Sequence, residues 1–370
     1  MGRSRSLPLT IAKRSDASDP RAGLAAELPV HACFLAIAAM GAIILWRLGL
    51  PFPLSTIFTN LDLYPKGFAL FLVCDGTLQL WKVKPDRPIA FLRKRYTDPS
   101  ILALWWARLP LLILFFAFLP TFALLKPMIP VLNPYSWDGA FLALDRSIFG
   151  TDPWRLLQPV LGYPLVTAGL AILYHAWFAL VYPGSLVFLY ARRTDGVRRQ
   201  YFLSFMLTWF LGGIILAALL SSVGPCFLEP ITGNSHFAGQ MAYLHSADAQ
   251  VPIVVLDMQE MLLENYLTNG PGHGVGITAM PSMHVAMAFL FWLAIRRTFP
   301  TASRWFFALF VVIWISSVHL AYHYAVDGLV SVVLVALIWR ASGALIARWD
   351  VATARAADQP VLRTNTVPAE

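Results

Sequence analysis

Eight long apolar runs dominate this chain, at roughly 32–50, 67–82, 101–124, 164–190, 201–221, 284–297, 304–319 and 324–347. A run of roughly 17–25 apolar residues crosses a bilayer core as a helix, because lipid offers the backbone no hydrogen-bond partner outside the segment itself. Charged residues make up 13% of the chain and hydrophobic ones 58%, whereas soluble domains carry about 25% charge. The expected fold is all-α, a polytopic membrane helix bundle. Asp75 interrupts the second run, and the sixth and seventh are short, as tilted helices inside a bundle can be.

The formal net charge of +8 does not point to nucleic acid, because the basic residues stand beside the apolar runs. Lys82, Lys84, Arg87, Arg93, Lys94 and Arg95 follow the second run. Arg192, Arg193, Arg198 and Arg199 follow the fourth, and Arg296, Arg297 and Arg304 the sixth. With eight crossings these clusters share one side with both termini, and the positive-inside rule makes that side cytoplasmic. The opposite, periplasmic or lumenal side receives the 222–283 loop, which holds no Lys or Arg but does hold Glu229, Asp248, Asp257, Glu260 and Glu264. The expected division is a cytoplasmic tail over 1–31, two transmembrane helices over 32–100, a catalytic membrane domain over 101–350 and a loose tail over 351–370. The first run is too long for a signal-peptide core and is expected to stay in the protein. Cys33, Cys74 and Cys226 show no paired spacing, so neither a disulfide framework nor a zinc site is expected.

Two outer segments read as structured. Residues 139–158 set Leu142, Leu144, Ile148 and Phe149 beside Asp145 and Arg146, which suits an interfacial amphipathic helix. Residues 253–267 read similarly. Gly270, Gly272, Gly274 and Gly276 then lead into Met280-Pro281-Ser282-Met283-His284 as a flexible turn. No Gly-Lys-Ser/Thr follows, so these glycines are not a P-loop.

Met280–His284 and His323-Tyr324-Ala325-Val326-Asp327 each open an apolar run from the outer side. Antiparallel neighbouring helices would bring them together. His323 and Asp327 stand at i and i+4, so the carboxylate can hold the imidazole and set its tautomer. Ser282 is a natural helix cap, and the N–H groups at both helix starts are expected to form an anion site. His323 would attack phosphorus, Asp327 would stabilise the imidazolium, and His284 would give a proton to the leaving oxygen and take one from the acceptor. His319 with His323 and Asp327 is a weaker metal reading, since the turn before the last helix breaks their common face. Tyr174 and His175 either line the cavity or hydrogen-bond across helices. Ionisable groups at membrane depth default to function.

At these residues the sequence resembles the type 2 phosphatidic acid phosphatase superfamily. Its Pro-Ser-Gly-His signature stands here as Pro281-Ser282-Met283-His284, and its Ser-Arg-x5-His-x3-Asp as Ser316-Ser317-x5-His323-x3-Asp327. The resemblance implies the family's six-helix core over residues 101–347 with two extra helices in front. Two departures stand out. Ser317 replaces the signature Arg, and the Lys-x6-Arg-Pro signature is missing, since no Lys or Arg occurs between Arg199 and Arg296. Gly224-Pro225-Cys226-Phe227-Leu228-Glu229-Pro230 stands where it should lie. Phosphoryl oxygens want cationic clamps, so the pattern looks more like the inositol phosphorylceramide synthase-like branch, an inositolphosphotransferase family that moves a head group from lipid to alcohol. The stretch from Leu144 to Pro153 also resembles that branch. Arg146, Arg155 and Lys126 are the outer cations able to substitute. The expected substrate-binding residues are Ser282, Arg146, Arg155 and His273.

The expected partners are membrane lipids, a phospholipid or polyprenyl phosphate donor and a water or alcohol acceptor, with no nucleic acid, no metal and no cofactor. The sequence leaves the oligomeric state open. The runner-up reactions are hydrolysis of a lipid or polyprenyl phosphate and, in another class, transport or scaffolding without chemistry. No inverted repeat with paired broken helices favours a transporter.

Overall fold

Helices occupy all eight apolar runs. The computed structural model describes residues 20–47, 49, 63–268 and 276–357, and no strand occurs among them. Among the described residues six helices are long and apolar enough to cross a membrane: Ala25–Arg47, Pro99–Leu132, Pro164–Tyr190, Arg192–Leu219, Pro300–His319 and Ala325–Arg355. The protein is a multi-pass all-α membrane bundle. Leu63–Val83 carries Lys66, Asp75 and Lys82, and Met283–Thr298 has only 16 residues. Sixteen residues reach about 24 Å, short of a core about 30 Å thick, which suits a helix whose ends sit inside the bundle.

Several boundaries differ from expectation. The first helix starts at Pro20, ahead of residue 32, and the last continues to Ala357, past residue 350. Ion pairs hold the first extension and the edge of the second. Arg198 pairs with Glu27 of the first helix, and Arg199 makes two 2.7 Å contacts to Asp350 of the last. Asp75 is an inter-helix contact, accepting hydrogen bonds from Arg95, Tyr96 and Gln79. Arg297 donates to Gln200 near the same end. The Met283–Thr298 helix runs from His284 to Arg296 and Arg297, so the arginine cluster and the two-histidine end are opposite poles of the bundle.

The outer segment 139–158 is not one amphipathic helix. Asp138–Phe149 ends at Gly150, whose φ of +76° suits a glycine at a helix terminus, and Pro153–Leu161 follows. Its polarity is also inverted. Asp145 is 2% exposed while Leu144, Ile148 and Phe149 face outward. Helices Pro225–Thr232 and Ala238–Asp248 precede the expected one, which runs Val255–Thr268. His273, Gly270, Gly272 and Gly274 lie outside the described residues.

Candidate active site

The Pro300–His319 helix ends at a tight turn in which Ala321 takes a φ of +62°. The Tyr322 and His323 N–H groups both donate to the Ser317 carbonyl, and the last helix starts at Ala325. This places His323 at the mouth of that helix. Its Nδ1 lies 3.1 Å from Asp327 Oδ2, across one helical turn. In the tautomer whose Nδ1–H donates to the carboxylate, Nε2 is the unprotonated nitrogen. The Tyr324 N–H donates to the same Asp327 oxygen, and Asp327 is fully buried.

Ser282 caps the helix that carries His284, its Oγ accepting from the Val285 N–H, and its carbonyl accepts from the Ser331 hydroxyl. The His284 ring is clamped between Tyr174, at 4.1 Å between ring centres and 13°, and Trp177, at 4.2 Å and 31°. The His284 and His323 ring centres are 6.5 Å apart. Both line a cavity of about 220 Å³ whose walls also include Lys126, Tyr174, His175, Trp177 and Tyr322. Among the described residues Lys126 is its one Lys or Arg, and no Asp or Glu lines it. The rest is apolar. Leu119, Phe122 and Lys126 share one helix face, with Leu119 about 10 Å below the lysine along the axis.

The structure therefore brings together His284, His323 and, behind His323, Asp327. Of the other expected residues it does not bring Ser282, Arg146 or Arg155 to them, and His273 lies outside the described residues. Ser282 is buried behind the wall as a cap. Arg146 and Arg155 both pair with Asp152, more than half of each side chain remaining exposed, and neither lines the cavity. Asp152 also accepts from His236. Burial raises its pKa, but the bonds from His236 and Arg155 outweigh that and hold the carboxyl below its usual range. His319 bonds to the Thr167 hydroxyl, not to His323 or Asp327.

The anion site expected at both helix starts is corrected at the last helix. The Ala325 and Val326 N–H groups already donate to Asp145, at 2.8 and 2.9 Å, so these two donors are engaged by a buried carboxylate. Trp177 and Tyr322 were not anticipated. The signal for the first was present: Tyr174, Trp177 and Phe178 recur at i, i+3 and i+4, the spacing of one helix face.

Comparison with known families agrees with this geometry. The profile of the PAP2 superfamily matches residues 139–341, more than half of the chain. The chain belongs to the PAP2 superfamily. Membership makes it a membrane enzyme of the phosphatase or phosphotransferase type. The matched stretch begins at the Asp138–Phe149 helix and runs through both histidine segments. No curated protein and no solved structure matches the chain.

Proposed function

We propose that this PAP2-superfamily enzyme transfers a phosphoryl or phospho-head group from a membrane lipid to an alcohol or to water through a phosphohistidine on His323. The observation that carries the reading is the His323–Asp327 pair standing across one cavity from His284, with Lys126 as the cation in its wall.

In the first step His323 Nε2 bonds to phosphorus and the P–O bond to the leaving alcohol breaks, the alcohol oxygen taking a proton from His284. Asp327 stabilises the imidazolium that forms. In the second step His284 takes the proton of the incoming hydroxyl, its oxygen bonds to phosphorus, and the N–P bond breaks. Water in that place gives hydrolysis. An alcohol gives a new phosphodiester when the transferred group still carries its head group. Lys126 is positioned to neutralise the phosphoryl oxygens, the task that Arg and Lys clamps perform in phosphoryl transfer. The groove between Leu119, Phe122, Phe178 and Tyr182 matches an acyl or prenyl chain leading toward the bilayer interior.

The charge map supports both termini lying in the cytoplasm and the cavity opening on the periplasmic or lumenal side. The inositolphosphotransferase-like reading rests on the missing signature Lys and Arg and on the Leu144–Pro153 stretch. To test it, the purified protein is incubated with radiolabelled phospholipids with and without myo-inositol. A new phosphodiester that appears only with the alcohol is the expected result. Release of free phosphate alone would mean a phosphatase. Turnover that survives His323→Ala would remove the phosphohistidine altogether, and an unimpaired lipid flux in that variant would point to a transporter.

A further inference from the structure

Two buried carboxylates on the outer helix remain outside this mechanism. Asp138 and Asp145 lie on the inward stripe of Asp138–Phe149 with Phe141 between them, and are 7% and 2% exposed. Their partners are the segments that frame the cavity. The Asp145 oxygens accept from the Ala325 and Val326 N–H groups. Asp138 accepts from the Tyr324 hydroxyl at 3.0 Å and from the Val223 and Gly224 N–H groups at 3.0 and 2.9 Å. Phe141 packs on the Tyr324 ring. From His323 to Val326 every residue is thus tied to a carboxylate: His323 and Tyr324 to Asp327, Tyr324 again to Asp138, Ala325 and Val326 to Asp145. Val223, held by Asp138, is itself part of the cavity wall.

These partners are backbone amides, one hydroxyl and the positive end of a helix, and no Lys or Arg pairs with either carboxylate among the described residues. Asp145 fixes the helix start directly, and Asp138 ties the Tyr324 side chain beside it to the Val223–Gly224 backbone. A nucleophile must be fixed in this way, because a misplacement of about 1 Å costs about a hundredfold in rate.

We infer that Asp145 and Asp138 are positioning residues, which set the direction of the His323 imidazole by holding the backbone that follows it and the Val223–Gly224 wall segment that abuts its turn. The inference rests on His323 being the nucleophile.

The test compares Asp145→Asn and Tyr324→Phe with wild type and His323→Ala, each as the full chain in lipid nanodiscs. The readouts are kcat and KM on radiolabelled phosphatidic acid and phosphatidylinositol, and the thermal midpoint. Asp145→Asn keeps the shape but turns an amide NH2 toward a helix N–H. It is expected to lower kcat by about 10- to 100-fold with KM within about twofold. Tyr324→Phe removes only the bond to Asp138 and is expected to lower kcat by about threefold at an unchanged KM, and it decides the matter if Asp145→Asn does not fold. A kcat per folded enzyme within twofold of wild type in every variant that folds would overturn the inference, even with a lower thermal midpoint, since the carboxylates would then only hold the fold. Wild-type turnover in His323→Ala, or none in wild type, would instead overturn the phosphohistidine reading and take the positioning role with it.

Discussion

The Tyr174 ring lies nearly parallel to the His284 ring, at 13° with 4.1 Å between their centres, and Trp177 covers His284 at 4.2 Å. A histidine that both gives and takes a proton must keep one edge aimed at the reacting oxygen, and two flanking rings leave its plane no freedom. An aromatic pair of this kind contributes about 0.5–1.5 kcal/mol. Tyr174→Phe keeps the stack and is expected to retain turnover. Tyr174→Ala frees the imidazole and is expected to lower kcat about tenfold. Steady-state rates on folded protein check this, and a Tyr174→Phe variant as slow as Tyr174→Ala would mean that the hydroxyl, not the ring, matters.

The cations near the site sort into two groups. Lys126 lines the cavity, while Arg146 and Arg155 lean on Asp152 with most of their length in solvent. Lys126→Met keeps the length and removes the charge. It is expected to lower kcat/KM by roughly 100-fold, the usual cost of losing one group that stabilises transition-state charge. Arg146→Gln and Arg155→Gln are expected to leave kcat/KM within about twofold and to change stability by less than about 1 kcal/mol, as exposed ion pairs do. The same kinetic series reads all three. A large loss at Arg155 with none at Lys126 would return the phosphate site to the Pro153–Leu161 helix.

Gly224 joins the cavity wall to the catalytic turn. Its φ of +87° and ψ of 166° fall in a region that is essentially glycine-only, and a Cβ there would stand 2.7 Å from the Tyr322 carbonyl oxygen and 2.9 Å from Ala279 Cβ. Gly224→Ala is expected to cost about 2–3 kcal/mol through backbone strain and the forced shift of Tyr322, which adjoins His323. Thermal unfolding in detergent measures it. An unchanged midpoint would show that the 222–226 turn is free to move away from residue 322.

The helices were legible because an apolar run in lipid has almost no alternative to a helix, and the His323–Asp327 contact because the two stand one turn apart in the same run. The support around them was not. Asp145 stands beside Arg146 and reads as the wet side of an amphipathic helix. Its partners, the N–H groups of Ala325 and Val326, lie 180 and 181 residues away and carry no side-chain signal. Lys126 was visible as a cation, but ranking it above Arg155 needed the packing that folds its helix face toward both histidines. Among abundant aromatics in apolar runs, Tyr174 and Trp177 differ from lipid-facing rings only in register.

Asp145 also gives a pH dependence with a defined sign. Burial pushes its carboxyl up to about 6, against the two N–H bonds that pull it down, with Asp327 and Asp152 adding smaller upward pushes. An unfolded aspartate titrates near about 3.9. The folded state therefore holds this proton more tightly, so the stabilisation from protonation is complete below the unfolded value and is lost as pH rises through about 6. Asp152 has the opposite sign, since its carboxyl is held low and its contribution is lost on acidification. The difference between wild type and Asp145→Asn cancels Asp152 and isolates Asp145. Between about pH 7.5 and about pH 5 the thermal midpoint of wild type is expected to rise relative to that of Asp145→Asn. A difference that stays flat across this range would mean that the helix start keeps Asp145 ionised throughout, with its two N–H bonds outweighing burial.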